Sequence, residues 1–155
     1  VSKRLQGLLA LTLPTTLLLF VGGIQVARQP AKPVFRPAEE VAAFRFLAEE
    51  TQGEAVVLAS YEAGNVLPAW APVFVVIGHG PESVGLSELR PEVESFYRSE
   101  TPEEERMALL DAYDVDYVFW GPAERALGDW VPHKDINLQV VHEQDGYAVF
   151  MVSKE

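Results

Sequence analysis

Between Arg4 and Arg28 the chain carries no charged side chain, and most of the stretch is apolar (LQGLLALTLPTTLLLFVGGIQVA). As a helix, Leu5 to Ala27 would rise roughly 35 Å at about 1.5 Å per residue, enough to cross a hydrocarbon core of about 30 Å. The expectation is a transmembrane helix over residues 1–28 that tethers a water-soluble domain. Pro14 is compatible with a span, because Ser/Thr hydroxyls and neighbouring helices re-satisfy freed backbone groups, and Thr12, Thr15 and Thr16 are close by. One alternative is a secretory signal peptide, but its apolar core normally has only about 7–15 residues. Val26-Ala27-Arg28 also makes a poor cleavage site. The other alternative is a buried soluble helix. The sequence opens on Val, so either a non-standard start or the tail of a longer protein is expected.

Charge divides the chain at the same place. Residues 1–36 hold five bases (Lys3, Arg4, Arg28, Lys32, Arg36) and no acid, while all 23 acids lie from Glu39 onward against seven bases, leaving that part near -16. Such a surface repels phosphate backbones, so nucleic acid is not an expected partner. Two bases precede the apolar stretch and three follow it, so charge alone does not set its orientation. The absence of cysteine excludes disulfides, thiolate metal sites and cysteine nucleophiles.

Residues 29–37 (RQPAKPVFRP from Arg28) read as an extended Pro-rich neck. Residues 38–155 then form one soluble domain of ordinary size. Pro37 to Gln52 has the marks of a helix, with Val41, Phe44, Leu47 and Ala48 on one apolar face and Gly53 as the stop. The runs EAVVLAS (54–60), VFVVI (73–77) and DYVFW (116–120) read as buried strands. A helix is expected from about Pro91. Another is expected to start at a capping box, Thr101-Pro102-Glu103-Glu104, with Met107, Leu110 and Ala108 facing inward. Gln144-Asp145-Gly146 between two alternating runs marks a hairpin. Strands alternating with helices predict an α/β chain: the transmembrane helix, then a small Rossmann-like α/β sandwich with three parallel core strands and a C-terminal antiparallel hairpin.

In parallel sheets ligands gather beyond the carboxyl ends of the strands. Three clusters fall there: Tyr61, Glu62, Gly64 and Asn65; Gly78, His79, Gly80 and Glu82; Trp120, Gly121, Glu124 and Arg125. His79 between two glycines is the sharpest candidate, with Glu62 or Glu82 to orient it. The alternative is a turn in which His79 caps a helix or bonds a carbonyl. A His-Glu-Glu metal site lacks diagnostic spacing, and Ser60 with His79 and Glu62 lacks the nucleophile elbow of a hydrolase. No metal and no cofactor are expected, since Gly78-His79-Gly80 is not a dinucleotide fingerprint. Tyr61, Trp70, Trp120 and Trp130 are candidate platforms for sugar rings, or else ordinary packing residues. His133 and His142 read as surface residues.

The pieces YEAGN, IGHGPE and FWGPAER, set after an apolar helix and a Pro-rich neck, resemble the C-terminal extracytoplasmic domain of bacterial GT-C-type membrane glycosyltransferases, the group containing protein mannosyltransferase-like enzymes. The resemblance covers nearly the whole chain and takes the apolar helix as the last transmembrane helix. It implies a cell-membrane protein with this domain on the extracytoplasmic side. It also implies a polyprenyl-phosphate sugar as donor, membrane lipid as neighbour, and the upstream transmembrane region of the same protein as partner. The family's catalytic acid lies in a first extracytoplasmic loop that this sequence lacks, so no catalytic residue carries over and the chain alone is expected to be inactive. YEAGN sits where oligosaccharyltransferases place an acceptor-binding aromatic-acid motif, but without its Trp-Trp-Asp. On this reading Tyr61, Glu62, Asn65, His79, Glu82 and Trp120 assist substrate or acceptor binding. The rival is a complete single-pass binding or sensor module without enzymatic activity.

Overall fold

The computed structural model describes residues 3–29, 31–32, 35–51, 53–80 and 85–154. It divides into two units, Val1–Pro37 and Ala38–Glu155.

In the first unit, α1 (Lys3–Arg28) runs through Pro14 without interruption. Leu17, Leu18, Leu19 and Phe20 along it are 64% to 73% exposed. Among the described residues, however, no helix is long and apolar enough to cross a membrane. The expected transmembrane helix is corrected accordingly. A stretch free of charge is not the same as one of sustained apolar content, and Gly7, Thr12, Pro14, Thr15, Thr16, Gly22, Gly23 and Gln25 dilute this one. After α1, the Phe35 N–H donates to the Ala31 carbonyl at 3.0 Å. Pro30, Pro33 and Val34 of the neck lie outside the described residues.

In the second unit, α2 (Ala38–Glu50) leads to β1 (Val56–Leu58), α3 (Tyr61–Gly64), β2 (Phe74–Val75), α4 (Leu86–Phe96), α5 (Glu103–Ala112), β3 (Tyr117–Trp120), α6 (Pro122–Arg125), β4 (Leu138–Gln144) and β5 (Tyr147–Val152). One mixed sheet results, in the order β2-β1-β3-β5-β4. β1 pairs in parallel with β2 and β3, whereas β5 is antiparallel to both β3 and β4. The hairpin is therefore not a separate closing element: β5 pairs with all four residues of β3, so all five strands form one sheet. Its turn is set by Asp145 and Gly146, both at positive φ (43° and 82°), which matches the twist of an antiparallel pair.

Both sheet faces are covered, which is why the central strands are continuously apolar rather than alternating. Val57, Phe119 and Val149 point to one core with Phe44 and Leu47 of α2. Leu58, Val118 and Phe150 point to the other, with Val93, Phe96, Tyr97 and Leu110 from the α4–α5 side. At about 25 cal/mol per Å² of apolar surface, each fully buried Leu or Phe contributes roughly 1.5–3 kcal/mol.

Several local expectations fail for identifiable reasons. β2 is short and lies at the sheet edge, so Phe74 is 63% exposed and Val75 half-buried, not central. Glu40, not Val41, shares the buried face of α2 with Ala43, Phe44 and Leu47. α4 begins at Leu86 rather than at Pro91 and holds Pro91 inside it, where the ring nitrogen forgoes one helical hydrogen bond. Thr101 does not cap α5: its hydroxyl donates to the Ser95 carbonyl at 2.6 Å and Pro102 takes the cap position. Arg106 and Leu109 join Leu110 inside, while Ala108 faces solvent. His142 is no surface residue, for its ring stacks on Phe46 at 5.0 Å and its Nε2 is buried.

Candidate functional site

Because β1, β2 and β3 are parallel, the segments that follow them reach the same edge of the sheet. Backbone packing joins the first two. A Cβ on Gly64 would overlap the Ile77 carbonyl, and one on Gly78 would come within 2.6 Å of the Gly64 oxygen. Only glycine at both positions lets α3 lie on the segment after β2. This brings the Tyr61 hydroxyl beside Gly80, where a Cβ would sit 3.2 Å from it. His79 precedes Gly80, exposed and in the left-handed region at φ 57°. That backbone is uncommon for a residue with a Cβ, although His tolerates it better than most.

The first and third segments are joined by Glu124. Its Oε1 accepts from the Ser60 N–H and its Oε2 from the Gly121 N–H, both at 2.9 Å. The side chain is fully buried, and desolvation pushes its pKa above the usual carboxylate value against the opposing hydrogen bonds from Ser60 and Gly121. Beneath it, the Tyr97 hydroxyl lies 3.3 Å from the Leu58 carbonyl and 3.2 Å from that of Phe119, spanning β1 and β3. Burial, and secondarily the nearby Glu124 charge, push the Tyr97 phenol well above its ordinary pKa. Ser60 in turn caps α3, its Oγ accepting from the Ala63 N–H at 3.3 Å. Both glutamate oxygens are committed to backbone donors, so Glu124 positions the edge.

The six residues expected from sequence are distributed as follows. Tyr61, Glu62 and Asn65 lie on and just after α3, with Glu62 and Asn65 exposed. The Asn65 amide donates to the Tyr61 carbonyl at 2.7 Å and so serves its own helix end. His79 belongs to the segment packed against α3, as described above. Trp120 ends β3 on the α4–α5 face of the sheet, half-buried. Glu82 lies outside the described residues.

The aromatic candidates differ from bare platforms in one shared respect: each carries an arginine over its ring. Arg125 stands 4.7 Å from the Trp120 ring centroid, Arg90 5.0 Å from Tyr61, Arg106 5.0 Å from Trp130 and Arg45 5.9 Å from Trp70. Trp130 is moreover 8% exposed and belongs to the core. Arg90 and Arg125 were thus missed as site residues, although Arg125 stood in the third cluster. A Trp followed after a Gly-Pro turn by Arg was the available signal.

A depression of about 760 Å³ lies at the opposite edge, where the parallel strands begin, lined by Glu50, Glu54, Asp114, Asp116 and Lys154 among others. There Lys154 bridges Asp114 at 2.5 Å and Asp116 at 2.8 Å.

This arrangement defines a small α/β domain with a mixed sheet and a braced carboxyl edge. Its fold is shared with a solved structure, the C-terminal globular domain of an oligosaccharyltransferase from Archaeoglobus fulgidus, with a TM-score of 0.55 over 76% of this chain and 98% of that one, at 13% sequence identity. No sequence-family model and no curated protein matches the chain.

Proposed function

We propose that this chain is the globular accessory domain of a membrane glycosyltransferase of the GT-C type. In that role it works on the extracytoplasmic side and assists binding of the acceptor or of the polyprenyl-phosphate sugar. The observation that carries the reading is the braced carboxyl edge, with segments after three parallel strands locked together by Glu124 and by the Gly64–Gly78 contact, in a fold shared with an oligosaccharyltransferase domain. Tyr61, Glu62, Asn65, His79 and Trp120 supply its contact groups, with Glu82 following in sequence. The exposed leucines of α1 favour an apolar neighbour, either membrane lipid or helices of the same enzyme's membrane region. Bacterial origin and a mannosyltransferase-like specificity are the finer parts of the same proposal.

His79 offers a test that separates binding from architecture. Glycine relieves a positive φ, so His79→Gly should leave stability unchanged or raise it by about 1 kcal/mol. In the full-length enzyme the same change, and Glu62→Gln, should lower sugar transfer per folded molecule. Unchanged transfer in both variants, with folding intact, would leave the edge as a scaffold and overturn the reading.

A further inference from the structure

Of the four arginines set over aromatic rings, Arg125 is held in a distinct way. Arg106 is buried and spends its donors on the Phe96 and Arg98 carbonyls. Arg90 is paired with Glu94 at 2.8 Å. Arg45 is exposed and stands farthest from its ring. Arg125 is instead fixed on two sides by groups that leave its charge uncompensated. Its Nη1 donates to the Gly146 carbonyl at 2.7 Å, and its guanidinium stands over Trp120. Among the described residues it makes no ion pair, and its Nε and Nη2 make no hydrogen bond.

The surroundings explain why it stays in place. In the sheet, Trp120 is opposite Ala148 and Ala148 is opposite Glu143, so the three share one face. His133 packs on that same face. Its ring meets Trp120 at 5.8 Å and Phe150 at 5.0 Å, both edge-on, and its Nε2 lies 3.2 Å from Glu143. Glu143 is thereby engaged by His133. Gly146, at φ 82°, lets the guanidinium approach its Cα, where a Cβ would lie 3.1 Å from Nη2.

We propose that Arg125, held over Trp120 and tied to the Gly146 turn, is the receptor for a phosphate ester at the carboxyl edge of the sheet. A planar guanidinium with free in-plane donors matches a phosphate oxygen pair, and prior fixation reduces the side-chain entropy lost on binding. The acidic surface does not veto this, because charges beyond about 8 Å are screened at physiological salt while a direct contact is not. A single phosphate group differs here from a polyanionic nucleic acid. The choice of phosphate over other oxyanions rests on the glycosyltransferase reading above, but the binding event does not require it.

The test is an NMR titration of the full chain in phosphatidylcholine nanodiscs, reading the Arg125 Nε–H and Trp120 Nε1–H signals at constant ionic strength. Inorganic phosphate should shift both signals saturably if the free ion suffices. Replacing a fifth of the phosphatidylcholine, whose choline-capped phosphodiester is the common background, by phosphatidic acid should shift them if a lipid-borne phosphate monoester is required. Either result supports the site, provided that Arg125→Gln weakens the response at least tenfold and Arg98→Gln does not. If Arg125→Gln fails to fold, Arg125→Lys takes its place, keeping the charge while losing the planar fork, with an expected loss of about threefold or more. No saturable shift in either arm, or a shift spread equally over Trp70, Trp120 and Trp130, would overturn the proposal. Phosphate binding that Arg125→Gln abolishes without changing sugar transfer would leave the site standing and remove its link to the glycosyltransferase reading.

Discussion

The two edges of the sheet are built on opposite electrostatic principles. At the carboxyl edge a buried carboxylate, Glu124, takes two backbone N–H groups out of reach of water. At the amino edge an exposed lysine, Lys154, bridges two aspartates beside an open depression. Both join segments distant in sequence, yet they contribute unequally. A buried acceptor cannot be replaced by water, so its loss leaves orphaned donors. An exposed ion pair competes with water and salt throughout and yields little. The difference marks the carboxyl edge as the one held by buried contacts, whereas the open depression lies at the other edge.

Glu124→Ala should be the most damaging change at either edge, costing about 2–5 kcal/mol by stranding the Ser60 and Gly121 N–H groups, as read from urea unfolding. Should its cost match that of the exposed pair, the contrast between the edges collapses. Gly64→Ala comes next, at about 1–3 kcal/mol, because its Cβ meets the Ile77 carbonyl and not a flexible side chain that could move aside. Thermal melts of Gly64→Ala and Gly78→Ala would show whether this contact braces the edge; a melting temperature unchanged in both would say it does not.

The pH responses of the two edges should share a sign but differ in window. The folded-state pKa of Glu124 is raised by burial, so its contribution is full below the unfolded carboxylate value and is lost as pH rises through the higher folded value. The stability gap between the native protein and Glu124→Ala should therefore widen on acidification from neutral pH. Lys154 is also raised, by its hydrogen bonds to Asp114 and then Asp116, so its contribution persists at neutral pH and is lost only above the ordinary lysine value of 10.5. A gap that narrows on acidification would reverse the assignment of Glu124 as a desolvated acid. Lys154→Ala should have the smallest effect, under about 1 kcal/mol and further reduced by salt, since the lysine is 44% exposed. An effect of several kcal/mol that persists in high salt would show the amino edge to be the tighter one.

Much of this fold was legible because hydrophobic continuity and turn chemistry are local signals. The runs around Val57 and Val118 announced buried strands, and Asp145-Gly146 between alternating runs announced the hairpin. Burial order within the sheet was not legible. Phe74 and Val75 look as apolar as Val57, and nothing local says that their strand lies at an edge. The site was legible only as a set of segments. Parallel pairing brings the residues after β1, β2 and β3 to one edge, but the sequence does not say which side chains brace and which face outward. Glu124 reads as a member of the third cluster with nothing to mark it as buried, and the rings of Tyr61 and Trp120 read as open platforms until the arginines over them are seen.

The sequence by itself determined the apolar stretch that became α1, the acidic character of residues 38–155, the strand and helix segments, and the glycines at 64, 78 and 146. These follow from composition and from contacts within a few residues. Only the tertiary structure decided that a glutamate should be buried against two backbone donors 64 and 3 residues away, and that Arg125 should be tied to a turn 21 residues further on. Such pairings arise when strands distant in sequence close into one sheet, and desolvation then gives the same side chain a different energy from the one it has in water.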